Sequence, residues 1–193
     1  MSFEPDLDAF TFTGTTVIEF NVNSDKLKEG KNASEIILHA KELCFVSAEY
    51  RVMGSEAKPT KASEINLNLT AHTVTFVFPD AIPDTAQTIV LSIEYSGFLN
   101  NQMAGFYRSS YKDINGNTKI MASTQFESLD ARRAFPCIDE PGVKSVFGLT
   151  LTIPSDRLCF SNMPEDSVVS LSATKKRVKF RWMRFELALS IGK

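Results

Sequence analysis

The sequence predicts an all-β fold, either an antiparallel sandwich or a set of packed antiparallel sheets. Three observations support this. Several segments alternate apolar and polar residues with a period of two, these segments are rich in Val, Ile, Thr and Phe, and turn-forming residues separate them. We expect about ten to thirteen short strands from this pattern. No repeat, low-complexity segment or linker is visible, so residues 1–193 are predicted to form one domain.

The clearest strands follow one another along the chain, since successive side chains of a strand point to opposite faces. Alternation places these residues on one face of their strands: Ile18, Phe20 and Val22; Val74, Phe76 and Phe78; Ile89, Leu91, Ile93 and Tyr95; Leu149, Leu151 and Ile153. Turn chemistry is predicted at residues 30–32, 79–80, 83–84, 96–97, 115–116 and 154–156.

The sequence predicts the local structure of three further segments. Residues 33–41 could form a short helix, but the apolar runs at 36–38 and 44–46 favour two strands. Asn115-Gly116 predicts a tight hairpin between residues 106–111 and 119–124. The one predicted helical turn spans residues 128–134, with Ser128 as its candidate N-cap.

Composition excludes several classes of function. A hydrophobic content of 43% with 15 Phe supports a substantial core. The net charge of −2 gives no reason to expect nucleic acid or an anionic membrane as partner, and the basic run at 175–177 is interpreted as a solvated turn. No apolar run approaches the ~20 residues of a membrane span, and no secretory signal is visible. Three widely spaced cysteines argue against a disulfide framework, so a cytoplasmic location is predicted.

The most informative segment is residues 124–141, T-Q-F-E-S-L-D-A-R-R-A-F-P-C-I-D-E-P. Two adjacent arginines beside acids can form a bidentate network that pins a loop. We therefore interpret one set of its residues as structural: Asp130, Arg132, Arg133, Asp139 and Glu140. The F-P-C that follows is interpreted as core and turn, and Cys137 is not expected to be a reactive thiol because no His or Lys lies beside it.

This segment, preceded by G-F-Y-R-S-S-Y at 105–111, closely resembles the N-terminal domain of zinc aminopeptidases of the aminopeptidase N type. The cytosolic, puromycin-sensitive branch looks nearest. The segments F-E-P-D-L, I-E-Y-S-G-F-L-N, K-S-V-F-G-L-T-L-T-I-P and S-N-M-P resemble the same domain in the same order, so the resemblance covers residues 3–164 well and the rest weakly. It implies a saddle-like antiparallel β domain that caps one side of a thermolysin-like catalytic domain.

The resemblance also implies a role for one acid. In this family the Glu of the T-Q-x-E segment, here Glu127, pairs with the free α-amino group of the substrate. If the stretch is extended, Gln125 faces the same way and could line the same pocket. From the residues alone, Glu127 is equally consistent with a surface acid near a turn.

The metal site of such enzymes is not found in this sequence. Zinc binding there needs H-E-x-x-H, whose two His lie one helical turn apart. The two histidines here, His39 and His72, are 33 residues apart and both are expected in strands. A G-x-M-E-N segment, which supplies a second amine-binding acid in the family, is also missing. We therefore predict that the chain has no cofactor of its own, zinc belonging to the parent family, and that it is inactive alone.

The two ends differ from the family pattern. Met1 lies just before F-E-P-D-L, where the family normally has an earlier strand, and residues 176–193 match loosely, with an apparent small deletion at 182–187. A missing strand and a missing catalytic domain would expose a sheet edge and an apolar face, which predicts self-association or a partner.

Three hypotheses stay open from the sequence. The chain is a detached aminopeptidase N-terminal domain that keeps Glu127, a β-sandwich module that docks on a full-length aminopeptidase, or a truncated relic. The residue specificity and the oligomeric state are not readable from the sequence.

Overall fold

The computed structural model describes residues 1–23, 34–83, 85–183 and 189–192. These residues form strands and one short 3₁₀ turn, and no α-helix occurs among them, so the predicted all-β class is confirmed. The strands are β1 (Ser2–Asp6), β2 (Thr11–Asn21), β3 (Glu35–His39), β4 (Leu43–Val52), β5 (Thr60–Lys61), β6 (Glu64–Asn68), β7 (Thr73–Val77), β8 (Thr88–Phe98), β9 (Gly105–Lys112), β10 (Thr118–Gln125), β11 (Thr150–Pro154), β12 (Leu158–Ser161), β13 (Glu165–Ser170), β14 (Lys175–Phe180) and β15 (Leu189–Gly192). The 3₁₀ turn spans Ala131–Arg133.

The strands form three sheets. The largest has eight strands in the order β13-β14-β11-β1-β2-β8-β4-β5, the second has the order β12-β15-β10-β9, and the third has the order β3-β7-β6. All pairings between these strands are antiparallel except that of β1 with β11. β1 lies between β11 and β2, so it is not an edge strand. The outer strands of the largest sheet are β13 and β5.

Aromatic rings join the sheets into a core. Phe3 of β1 and Phe12 of β2 contact Phe106 of β9, with ring centroids 5.7 and 5.1 Å from it. Phe76 and Phe78 join the third sheet to the largest sheet by packing against β4. The ring of Phe76 lies 5.5 Å from that of Phe45, and the ring of Phe78 lies 4.8 Å from that of Tyr50, both between centroids. The contacts of Phe3 and Phe12 with Phe106 thus link the largest sheet to the second sheet, whose strand β10 leads into the loop that carries Glu127.

The alternation pattern predicted the buried faces with one difference. The apolar residues expected at 74–78, 89–95 and 149–153 are buried. Ile18, Phe20 and Val22 are half-buried and pack against the margin of the core. The two strands expected in place of a helix near residues 33–41 are β3 and β4.

Several predicted turns need correction. Residues 96–97 lie inside β8, where Gly97 is required because a Cβ would lie 2.5 Å from the ring of Phe12. The basic run at 175–177 begins β14, and the turn precedes it at residues 171–174. His72 lies in the turn between β6 and β7, with a φ of 52°, and not in a strand. The predicted turns at 30–32 and at residue 84, and most of the divergent segment at 182–187, lie outside the described residues.

The hairpin between β9 and β10 is confirmed, but its loop is longer than a two-residue turn. The loop covers residues 113–117, and Gly116 adopts a φ of 80°. The Asp113 carboxylate accepts hydrogen bonds from the backbone N–H groups of Asn115 and Asn117, each 2.9 Å long. These bonds hold the pKa of Asp113 below its ordinary value, the bond from Asn117 being the largest cause.

Candidate functional site

Glu127 lies on a turn that directly follows β10. Phe126 points into the core and is 7% exposed, with its ring edge-on to Phe135 at a centroid distance of 5.7 Å. The Asp130 N–H donates a 2.9 Å hydrogen bond to the Phe126 carbonyl, which closes the turn, and Glu127 itself is exposed. The peptide bond between Glu127 and Ser128 is cis.

The helical turn predicted at 128–134 exists, but it is shorter and its cap differs. It spans Ala131–Arg133, and Asp130, not Ser128, occupies the N-cap position without a side-chain capping bond. Ser128 belongs to the preceding turn, two residues before the N-cap position.

Gln125 is the last residue of β10 and pairs with Gly105 of β9. Strand alternation places it on the face opposite the buried Ala122, and it is exposed. The chain turns after Gln125, so the extended geometry on which the shared direction of Gln125 and Glu127 depended is not met. Both side chains are accessible, but alternation alone does not bring them into one pocket.

The predicted arginine–acid network forms the base of the loop. The Arg132 Nε donates a 2.8 Å hydrogen bond to Asp139 Oδ2, and the Arg132 backbone N–H donates to the same oxygen at 3.3 Å. One carboxylate oxygen therefore takes both bonds, in place of a bidentate fork. Glu140, which the sequence grouped with these residues, is exposed and makes no ion pair within the described ranges.

Arg133 links the turn to a distant part of the chain. Its Nε donates to Asp130 Oδ1 at 2.8 Å, and its Nη1 forms a short ion pair with Glu42, 91 residues away. Burial alone would lower the pKa of Arg133, but the hydrogen bonds to Asp130 and Glu42 outweigh it and the pKa lies above its ordinary value. The sequence does not predict the contact with Glu42, because nothing in the local pattern relates Glu42 to the loop.

The loop is further tied to β3 and to the link between β3 and β4. His39 and Cys137 exchange backbone hydrogen bonds of 2.8 and 3.1 Å, and the Lys41 N–H donates to the Arg132 carbonyl at 2.9 Å. The Asp139 N–H donates to His39 Nδ1 at 3.1 Å. His39 thus has a structural role, and burial raises the pKa of Cys137, which agrees with an unreactive thiol.

The described residues do not fit a zinc ion. They contain no group of three or more His, Cys, Asp or Glu that could hold a metal. The Nδ1 of His39 already accepts a backbone hydrogen bond, and His72 lies in a turn beside β7. No zinc-dependent step is therefore assigned to residues of this chain.

Exposed apolar side chains occur in the same loop as Glu127 and on β12 of the second sheet. Leu129 is 53% exposed and Ile138 is 41% exposed, within the same loop as Glu127. Phe160 on β12 is 64% exposed, and it pairs with Ser190 of β15, which pairs with Ser123 of β10. Directly paired residues share a face, so Phe160 lies on the same face of the sheet as Gln125. Exposed apolar side chains therefore occur in the loop that carries the carboxylate and on the sheet face that carries Gln125.

The arrangement presents the exposed Glu127 carboxylate to the exterior. It can accept charge-assisted hydrogen bonds from a cation such as a protonated amine. None of the described residues belongs to a helix of the length and hydrophobicity needed to cross a membrane.

Comparison with known proteins gives a consistent picture. A family model described as the peptidase M1 N-terminal domain matches residues 1–183. Aminopeptidase 2 of Candida albicans is 38% identical over 181 residues, which is 94% of this chain and 18% of that protein. The alanine/arginine aminopeptidase of Saccharomyces cerevisiae is 39% identical over 84% of this chain and 18% of its own length. The puromycin-sensitive aminopeptidase of Caenorhabditis elegans is 36% identical over 82% of this chain and 16% of its own length. The chain therefore spans less than a fifth of the length of these relatives.

Proposed function

Because the chain belongs to the peptidase M1 N-terminal domain family, we propose that it is the non-catalytic, substrate-binding part of a zinc aminopeptidase. Glu127 accepts charge-assisted hydrogen bonds from the free α-amino group of a peptide, and the exposed side chain of Gln125, at the end of β10, also contacts the substrate. The metal ligands and the residue that activates water come from a part of the enzyme that this chain does not match.

The observation that carries this proposal is the exposed Glu127 carboxylate on a turn that is anchored on both sides. Phe126 is buried immediately before it, and the Asp130–Arg133 pair follows it. An α-amino group has a pKa of ~7.7–8.0 and is largely protonated at neutral pH. A hydrogen bond to such a charged group contributes about 1.5–3 kcal/mol once water is excluded. This contact favours a free peptide end over an internal peptide bond.

The exposed apolar side chains in the Glu127 loop and on β12 define a surface that supports a second part of the proposal. Leu129, Ile138 and Phe160 are exposed, and burying such side chains against another surface is favourable. In the first candidate function this surface packs against the catalytic part of the same enzyme. In the second, it docks on a separate full-length aminopeptidase and acts as a binding or regulatory module.

A chimera tests the role of Glu127. This chain replaces the matching segment of the alanine/arginine aminopeptidase of Saccharomyces cerevisiae, and kcat/KM is measured with an aminoacyl fluorogenic substrate. Glu127→Gln keeps the shape of the side chain but removes its charge, so we expect kcat/KM to fall by about 10- to 150-fold, equivalent to ~1.5–3 kcal/mol. Glu140→Gln is the matched control, because it removes another exposed acid of the same loop.

The outcomes separate the candidates. Equal activity of the Glu127→Gln and Glu140→Gln chimeras would contradict the amine-binding role. If that result is accompanied by co-purification of the separate chain with a full-length aminopeptidase, the docking module becomes the better account. Hydrogen exchange decides the relic hypothesis, because a cooperative, protected core contradicts it. The cytoplasmic location stays a prediction.

A further inference from the structure

One outer edge of the largest sheet is exposed along its whole length. β13 pairs only with β14, and all six of its residues are exposed. Among the outer strands of the described residues, it is the only one exposed at every position. Two adjacent valines, Val168 and Val169, are 51% and 54% exposed.

An outer strand of this kind is a template for another strand, because its outward N–H and C=O groups have no strand partner. Native proteins usually protect such edges with charged side chains, especially Lys, with Pro or with a bulge. β13 contains no Lys or Pro, and its two acids and its bulge lie at one end, between Glu165 and Ser167, so the segment from Ser167 onward has none of these features. The segment from Ser167 to Ser170 keeps a regular ladder with β14.

We propose that β13 pairs with β13 of a second copy of this chain, antiparallel and about a two-fold axis through Val168. The two eight-stranded sheets then become continuous across the dimer. This inference goes beyond the proposed function and does not depend on Glu127.

The register follows from which side chains share a face. Directly opposed residues of an antiparallel pair lie on the same face. An axis at Val168 sets it opposite its own copy and Ser167 opposite Val169, so both valines gain apolar or neutral neighbours. An axis at Ser167 would instead place Asp166 opposite Val168, which would bury a carboxylate beside an apolar side chain.

Charge favours the same arrangement. The acids Glu165 and Asp166 lie at the start of β13, where Asp166 already forms a 3.5 Å ion pair with Lys179 of β14, and Ser170 at its end pairs with Lys176 of β14. In an antiparallel pair the acidic end of one copy adjoins the end flanked by Lys176 of the other. The two-fold axis makes this favourable contact twice and opposes no like charges directly.

The interface is small, which sets its strength. A single six-residue strand pair buries less than the ~800 Å² per partner of a standard interface. We therefore expect a weak dimer whose population rises with protein concentration. Sedimentation velocity of the whole chain over a wide concentration range measures this population.

Val168→Lys is expected to leave a monomer at all concentrations, because the change places two lysines opposite each other. Val17→Lys is the matched control. Val17 is 53% exposed, but it lies on β2, which has a strand on each side. Both residues are exposed, so neither change should unfold the chain, and circular dichroism checks this.

Cysteine cross-linking tests the register in a Cys44→Ser background, which removes an exposed native thiol. Val168→Cys places two opposed Cα atoms about 4.5–5.5 Å apart, within the range of a disulfide. Ser167→Cys places its two copies diagonally, about 7–8 Å apart, and should cross-link far more slowly. A monomer at every concentration, association unchanged by Val168→Lys, or equal cross-linking of the two cysteines would each overturn the proposal.

Discussion

Replacing Asp139 by Ala tests what holds the Glu127 loop in place. The side chains of Arg132 and Asp139 are 9% and 12% exposed, and the Nε–Oδ2 distance is 2.8 Å. The change removes both hydrogen bonds to Oδ2, which leaves the buried guanidinium with the Asp139 carbonyl as an acceptor, 3.2 Å from Nη2. Breaking a buried ion pair by removing one partner costs about 3–5 kcal/mol. Since that carbonyl contact survives, we expect a loss near the lower end, ~3 kcal/mol of unfolding free energy.

Urea unfolding at neutral pH measures this loss through the midpoint at constant m-value. Glu42→Ala is the first control. Glu42 is 53% exposed, and its pair with Arg133 is therefore expected to contribute only about 0–1 kcal/mol. Glu140→Ala is the second control and should be close to neutral.

The double change Arg132→Met with Asp139→Ala separates charge burial from lost packing. It removes the uncompensated charge, so it should be more stable than Asp139→Ala alone. A loss for Asp139→Ala below ~0.5 kcal/mol, the usual range of a surface substitution, would refute the view that the Arg132–Asp139 pair holds the loop.

Two further predictions follow from local geometry. Gly105→Ala should cost ~3 kcal/mol of unfolding free energy, because φ is 70° and a Cβ would lie 2.5 Å from the Cβ of Arg133. Gly116→Ala should cost only ~1 kcal/mol, since its φ of 80° is equally unfavourable but nothing lies within 4 Å. Urea unfolding of both variants checks the difference, and equal losses would contradict it. Burial raises the pKa of Tyr95 far above its ordinary value, despite a hydrogen bond with Thr16. The unfolded chain ionises this phenol near pH ~10, so its contribution to stability is present below that pH and is lost as pH rises further. Tyr95→Phe should flatten part of the fall in stability between about pH 9 and 11, and an unchanged slope would contradict this.

The strands were predicted well because, in an alternating segment, the polarity of each residue indicates whether its side chain faces the core or the solvent. The buried residues of β7 and β8 show this. The pairing of strands with one another is not encoded in these local patterns. The parallel contact of Ser2 and Phe3 with β11 joins segments almost 150 residues apart, and no local pattern encodes it. The turn predicted at Ser96-Gly97 failed for a related reason. There the glycine serves close packing against Phe12, which a sequence does not distinguish from a turn.

In the candidate site too, contacts between residues close in sequence were predicted and contacts between distant residues were not. Arg132 and Asp139 are seven residues apart, and the motif predicted a network of its arginines and acids that includes their contact, although not its geometry on a single oxygen. Glu42 contacts Arg133 across 91 residues and was missed. The family membership predicted from the motifs is confirmed, because the family model matches residues 1–183. The roles of Glu127 and Gln125 stay predictions.

The exposure of Glu127 has a consequence for when it can act. A carboxylate in contact with water gains little from a cation, typically about 0–1 kcal/mol. The same contact gains about 1.5–3 kcal/mol when water is excluded. The turn fixes the position of Glu127 through Phe126 and Arg133, but nothing described in this chain covers it. The apolar side chains of Leu129 and Ile138 lie in the same loop, and a surface that packs on them would also exclude water from the carboxylate. Under the proposed function, the chain therefore supplies the position of an amine-binding group, while the strength of the binding depends on the surface that covers it.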